Sequence, residues 1–466
     1  MGDQARKQIW GAVIGVLLAG LIWLAPTPRG LTPLGQTILA ILVLTAVFWV
    51  FDVLGNAVTA LLMLGLLILA GVKPEHALSA FSGGPFWVLL VVLFYGAAMQ
   101  STGLARRLSF WILSWFPPTY GGVMAAFFVI GLALSPAIPA MTVRTAIMVP
   151  IAWALVQTLG LPSHSRGSAL LVLSSIEMAV APGCATLYGS LWGPVMVQLF
   201  QTQGYNLEWW DYTRALALPT LVWSLLLLLG NWLALRPEQE LNVSKEFAKT
   251  ELAKLGKLSR PEIATAVIIT VSIAYWVGEH WHHRPSYLVG LFGLAAFAAC
   301  GVLRERDFGN AISWPFVLFL GAVFGLPVVV QQNKVTDWLA GYIVPVVQSV
   351  AGNIWALLMV MAVAMLLLKF MDPTGLLAMT VLFLPISTIL RDSLVSPLVL
   401  IAALLLAGHP FWVSYQSIWV AMGEGMTGNR AFDGAQRVRL AHVYAAATLL
   451  ALSLSIVYWR ALALLP

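Results

Sequence analysis

Apolar residues in this chain come in long unbroken blocks, without the strict alternation of exposed strands or the one-sided stripe of soluble surface helices. An α-helix needs roughly 20 such residues to cross a bilayer. The blocks 9–25, 34–50 and 58–72 open the chain, the first of them after Arg6 and Lys7, and Pro85 begins the next at 85–98. The first block ends at Pro26-Thr27-Pro28-Arg29 with no small-x-small cleavage signal, so it reads as a retained first span. The stretch 104–116 differs: Arg106 and Arg107 stand beside a Trp- and Phe-rich face, the pattern of a helix lying in the membrane interface.

In 132–155 two apolar arms meet at Pro136 and Pro139. Each proline removes a backbone donor and disfavours helix in the residue before it, so helix is expected to stop near Ser135 and restart near Thr142. Neither arm is long enough to span, which predicts a re-entrant hairpin over about 120–158 with its tip deep in the membrane. Irregular backbone at that depth is tolerated only where protein covers it or where it lines a wet cavity. The next block, 168–200, is interrupted at Pro182-Gly183-Cys184-Ala185-Thr186 and predicts a discontinuous helix. A plain span at 215–235 follows, and then the one long hydrophilic stretch, 236–261, rich in Lys and Glu.

The second half repeats this outline. Pro315-Phe316 echoes Pro85-Phe86, and the Val149-Pro150-Ile151 that ends the first hairpin returns as Leu384-Pro385-Ile386. Between them lies a second hairpin, about 353–390, broken at Asp372-Pro373-Thr374-Gly375, and the glycine cluster Gly423 to Gly428 predicts a second broken span over 411–429. The expected organisation is a first helix in 1–33, repeats over 34–235 and 262–466, and a linker between them. Interrupted elements in corresponding places of two halves mark internal-repeat transporters. The fold class read from this is an all-α polytopic membrane protein with about 11 transmembrane helices, two re-entrant hairpins and two discontinuous helices, its repeats inverted because each crosses an odd number of times.

Composition narrows the alternatives. With 60% hydrophobic and 9% charged residues the chain is no soluble globule, and runs such as LVWSLLLLLGNWLAL do not alternate as barrel strands do. The formal charge of +6 invites nucleic acid as a partner, but excess Lys and Arg on cytoplasmic loops accounts for it. Counting basic residues by loop places the amino terminus and the linker in the cytoplasm and the carboxyl terminus outside, in a cell (inner) membrane surrounded by lipid. Two cysteines, Cys184 and Cys300, give no disulfide framework, and His280, His282 and His283 lack the paired acids or cysteines of a metal site.

The candidate chemistry lies at the breaks. Arg144, Glu177, Lys369 and Asp372 are charges in apolar surroundings, where they cost several kcal/mol and mark a function by default. Glu424 is a similar case in the second broken span. Arg144 either contacts an anion or neutralises Glu177, and Glu177 either pairs or titrates as a proton-coupling group. Thr142, Thr145, Thr186, Ser190 and Thr374 offer hydroxyls to an anion or a cation, although such hydroxyls also bond a carbonyl one turn back. Gly183 and Gly189 are expected to be required as glycine, for close backbone approach and for left-handed φ. A membrane enzyme acting on lipid is the rival class, but no nucleophile elbow or metal triad is present.

The order of interfacial helix, hairpin ending in Leu/Val-Pro-Ile, and broken helix with Gly183-Cys184-Ala185-Thr186-Leu187-Tyr188-Gly189-Ser190, then the same again, resembles the divalent anion/sodium symporter family. The resemblance implies a homodimeric secondary transporter of a dicarboxylate or sulfate, with sodium as the coupling ion and no other cofactor. By resemblance Thr142, Gly189, Ser190 and Thr374 are carried over; with the charges and hydroxyls above, the candidate substrate contacts are Thr142, Arg144, Thr145, Ser190 and Thr374, and the candidate ion-coupling residues are Gly183, Thr186, Gly189, Asp372, Glu177 and Glu424. One departure stands out. The family's Ser-Asn-Thr at each tip is replaced here by Ala140-Met141-Thr142 and by Gly375-Leu376-Leu377, which opens proton coupling or anion exchange as alternatives.

Overall fold

The computed structural model describes residues 3–238, 246–370, 375–391 and 393–466. Among these residues there is helix and no strand, and nine helices are long and apolar enough to cross a membrane. Asp3–Leu24, Pro33–Phe51 and Asn56–Leu69 pack on one another in sequence order, and the first keeps most of its apolar side chains exposed, as a lipid-facing helix would. Gly84–Thr102 follows and is almost wholly buried. The amphipathic Leu104–Leu113 lies against the linker helix Phe247–Lys254. Arg107 fixes this contact, its Nε donating to Glu262 Oε1 at 2.6 Å and its Nη1 to the Gly256 carbonyl at 2.8 Å.

The first hairpin consists of Tyr120–Leu134 and Met141–Thr158, with Thr119 capping the first arm by accepting from the Gly122 N–H. Pro136 and Pro139 keep 135–140 out of helix, and Ala140 is extended at φ −70 and ψ 99. The first arm rests directly on the broken helix: a Cβ on Gly131 would stand 1.9 Å from the Met178 carbonyl oxygen, so only glycine permits this approach. That broken helix runs Arg166–Val180, tightens into a 3₁₀ turn at Ala181–Ala185, extends at Thr186 and resumes as Trp192–Thr202. Proline at 182 is the cause, since it cannot continue the ladder of the preceding turn.

The second half follows the same order. Trp314–Phe324 begins, like Gly84–Thr102, with proline in its first turn, and the hairpin Ile354–Leu368 with Leu376–Ile389 carries Pro385 inside its second arm as the first carries Pro150. The second discontinuous element, however, is not broken at Gly423 to Gly428. It consists of Pro397–Leu406 and Ile418–Met426, with 407–417 irregular between them, so the break falls at Gly408-His409-Pro410. Gly423 has another use: a Cβ there would stand 2.4 Å from Ile176 Cδ1, so this helix lies close against the first broken helix.

Each half ends in a long helix, Trp209–Ala234 and Gly434–Ala461, and these two pack together. Trp223 Nε1 donates to Thr448 Oγ1 at 3.0 Å, and Trp459 Nε1 to the Ala215 carbonyl at 2.8 Å. Polar side chains of this kind join helices where lipid supplies no hydrophobic drive for them to associate.

Candidate functional site

Arg144 sits in the first turn after the hairpin break and is 0% exposed. Its Nε donates to the Ala179 carbonyl at 2.6 Å, and its Nη1 to the carbonyls of Gly189 at 2.7 Å and Ile138 at 3.0 Å, with Ser135 more distant at 3.4 Å. Two of these oxygens belong to the hairpin tip and two to the broken helix. One guanidinium therefore ties the two irregular segments together. Its Nη2 has no hydrogen-bond partner, and no carboxylate forms a salt bridge with it among the described residues.

Gly183 and Gly189 line the same junction. A Cβ on Gly183 would stand 2.3 Å from Arg144 Nη2 and 2.4 Å from the Gly189 carbonyl oxygen, and one on Gly189 would stand 2.5 Å from Thr186 Oγ1. Neither glycine has a positive φ, so close approach is the reason for glycine and left-handed backbone is not. Thr186 Oγ1 and Ser190 Oγ are buried here without a partner. Thr145 Oγ1 donates to the Met141 carbonyl at 2.9 Å, the bond one turn back available to any helical threonine, and Thr142 is half-buried beside it. Met141–Thr158 and Trp192–Thr202 both begin at this junction, so the positive dipole ends of two helices lie near one buried cation.

The other membrane charges are placed differently. Glu177, which the sequence offered as a partner for Arg144, accepts instead from Asn231 Nδ2 through Oε2, while its Oε1 is unpartnered. Glu424 pairs with Arg437 Nη1 at 2.6 Å and accepts from Ser414 Oγ at 3.0 Å, which holds the short turn Ser414–Gln416 in place. Lys369 is buried at the end of the second hairpin's first arm. Asp372 and Thr374 lie outside the described residues. The second tip reaches the first broken helix through Trp192: a Cβ on Gly375 would stand 3.1 Å from Trp192 Cη2 and equally close to Lys369 Cδ.

The first tip, both breaks and the residues flanking the second tip thus converge from both halves, with Arg144 at the first tip and Lys369 beside the second. A family model described as the sodium:sulfate symporter transmembrane region matches residues 6–465. The chain belongs to this family. A putative malate transporter of Bacillus subtilis is 24% identical over 364 residues, covering 76% of this chain and 75% of that protein. Chloroplastic dicarboxylate transporter 1 of Spinacia oleracea is 24% identical over 358 residues, covering 74% of this chain and 63% of the spinach protein, so the match spans less than two thirds of its length. The crystal structure of the Alcanivorax borkumensis YdaH transporter is similar over 100% of both chains with a TM-score of 0.56, and at 13% identity that likeness is one of fold.

As a sodium:sulfate symporter family member, the protein is a multi-pass membrane transporter and not an enzyme. One group in this transporter went unread in the sequence. His409 stands in the second break, where its ring centroid lies 5.6 Å from Trp192 and 5.5 Å from Trp419. Its signal was the Gly408-His409-Pro410 interruption of an apolar run, the counterpart of Pro182-Gly183. Asn231, the partner of Glu177, carried no signal, since a lone asparagine in a span reads as helix packing.

Proposed function

We propose that the protein is a secondary active transporter of small divalent anions, with a dicarboxylate as the first candidate and sulfate as the second. The observation that carries this reading is Arg144: a fully buried guanidinium with no salt-bridge partner among the described residues, standing where two helix amino termini meet. A charge buried without a counter-charge is costly, and an anion held between the tips supplies one. The unpartnered Nη2 and the unpartnered hydroxyls of Thr186 and Ser190 are the donors left for it. Lys369 at the second tip supports a second carboxylate or the far side of a sulfate, and the dicarboxylate and malate transport named for the relatives agrees with this.

Arg144 also bears on the coupling ion. The carbonyls of the first tip and first break, which would suit a sodium ion, already accept from its guanidinium. That favours a fixed cation in place of bound sodium in this half. Alternating access would carry the hairpins and broken helices past the scaffold of the long helices, in the manner of inverted-repeat carriers.

The test is uptake by the purified protein in liposomes of a radiolabelled four-carbon dicarboxylate, sulfate and a monocarboxylate control, each with and without a sodium gradient. Saturable dicarboxylate or sulfate uptake that accelerates on counter-substrate is expected, and its absence for every divalent anion refutes the reading. The orientation, with amino terminus and linker inside and carboxyl terminus outside, predicts that single cysteines at Ser244 and at the exposed Arg284, beside Ser286, label from opposite faces. Labelling of both from one face would contradict it.

A further inference from the structure

Four tryptophans are buried among the described residues, and a buried indole N–H ordinarily finds an acceptor. Three of them do so. Trp223 donates to Thr448 Oγ1 at 3.0 Å, Trp276 to the Ser286 carbonyl at 3.0 Å and Trp459 to the Ala215 carbonyl at 2.8 Å. Trp192, only 5% exposed, donates to no described residue. It opens the helix Trp192–Thr202, two residues past Ser190, whose hydroxyl is buried and unpartnered in the Arg144 junction. From there the ring crosses to the second half. Its Cη2 stands 3.1 Å from where a Cβ on Gly375 would lie, and its centroid is 5.6 Å from the His409 ring, edge to face at 80°. One side chain thus reaches from the first break to the second tip and the second break.

The indole has little freedom where it stands. A Cβ on Gly193 would lie 1.5 Å from the Leu187 carbonyl oxygen, so the turn that carries Trp192 is pressed against the first break, and Pro194 follows within that turn. The far edge of the ring is hemmed as well, since the same point above Gly375 is 3.1 Å from Lys369 Cδ and from Met365 Cε. A large ring confined at both ends is a wall of fixed position. We propose that Trp192 is a specificity-determining residue of the anion site: its Nε1 donates to the end of the anion remote from Arg144, and its ring sets the length of diacid admitted. Arg144 Nη2, Thr186 Oγ1 and Ser190 Oγ are the donors left for one acidic group, and the indole N–H is the donor left for the other. A charged oxygen makes the stronger hydrogen bond with such a donor, so a carboxylate or sulfate fits it well. A wall backed by the second half cannot yield to a longer chain, and a methylene in excess of the fit costs about tenfold or more in discrimination.

This inference rests on the anion-transport reading above, and the experiment separates the two. Wild-type protein, Trp192→Phe and Trp192→Leu are reconstituted in liposomes, and counterflow of labelled succinate is measured against its concentration and against unlabelled adipate, a diacid longer by two methylenes. Both variants keep a bulky apolar side chain, which limits the cavity that alanine would leave. Trp192→Phe is expected to raise the half-saturating succinate concentration about tenfold or more, the usual effect of losing a donor to a charged group, while the rate at saturation falls far less. Trp192→Leu is expected in addition to reduce the preference for succinate over adipate about tenfold or more. A purely structural role would lower the saturated rate and leave affinity and preference alone. Wild-type affinity and preference in both variants overturn the assignment of Trp192 and leave the transport reading standing. Failure of both variants to fold does the same, since it marks a core residue, and so does a wild type that exchanges sulfate and no diacid, since the ring then gauges no length. Absence of wild-type counterflow with any divalent anion overturns both.

Discussion

Arg144→Ala is expected to abolish anion uptake, and adding Glu177→Ala is not expected to restore it. The guanidinium donates to two carbonyls of the hairpin tip and two of the broken helix, so its loss leaves buried oxygens unsatisfied on both sides of the junction and removes the one cation there. A buried charge pair broken on one side costs about 2 to 5 kcal/mol. At roughly 1.4 kcal/mol per factor of ten, that is a loss of about thirtyfold to several thousandfold in anion affinity. Arg144→Lys keeps the charge but replaces a planar fork with a point donor, which cannot meet Ala179 on one side and Ile138 on the other, so uptake should fall nearly as far. The readout is uptake and binding of labelled dicarboxylate at matched protein amounts. If Arg144→Ala with Glu177→Ala regained near-original affinity, Arg144 would be a mere neutraliser of Glu177, against the Asn231 contact that already holds that carboxylate.

Gly183→Val should be as damaging, by a different route. Even the first carbon of a side chain would stand 2.3 Å from Arg144 Nη2, displacing the guanidinium from the carbonyls it bridges. Valine adds two more carbons in the same place. Gly189→Val would meet Thr186 Oγ1 and the Gly183 carbonyl at 2.5 and 2.6 Å with the same result. The strain is confined to one junction of a chain with extensive packing elsewhere, so both variants are expected to purify as folded protein with no measurable uptake. A saturating anion should raise the Tm of the wild type and leave theirs unmoved, because stabilisation by a ligand requires a site that binds it. Normal uptake by both variants would mean that the junction is not where the anion passes.

What the sequence disclosed here, and what it withheld, follows from how local each cause is. Pro136, Pro139 and Pro182 act on their own turn of backbone, so the first hairpin and first break could be placed from composition alone. Arg144 could be singled out because a charge in an apolar run is conspicuous. Its partners could not, since backbone carbonyls look alike in any sequence and two of these lie on another element. Glu177 was conspicuous for the same reason, but its partner was not legible, because Asn231 is brought to it only by the packing of two helices. The second break was read too late in the chain because glycine weakens a helix by only about 1 kcal/mol. Close contact with Ile176 is enough to keep Gly423 helical, whereas Pro410 leaves the backbone no such choice.

The arrangement around Arg144 also orders events during synthesis. Ser135 and Ile138 leave the ribosome before the arginine, but the carbonyls of Ala179 and Gly189 do not exist until dozens of residues later. A guanidinium costs several kcal/mol in the middle of a bilayer until its donors are met. The first hairpin therefore has no stable home in lipid as a nascent piece. Its guanidinium is satisfied only once the broken helix packs against it, so the two elements are expected to settle as a single unit.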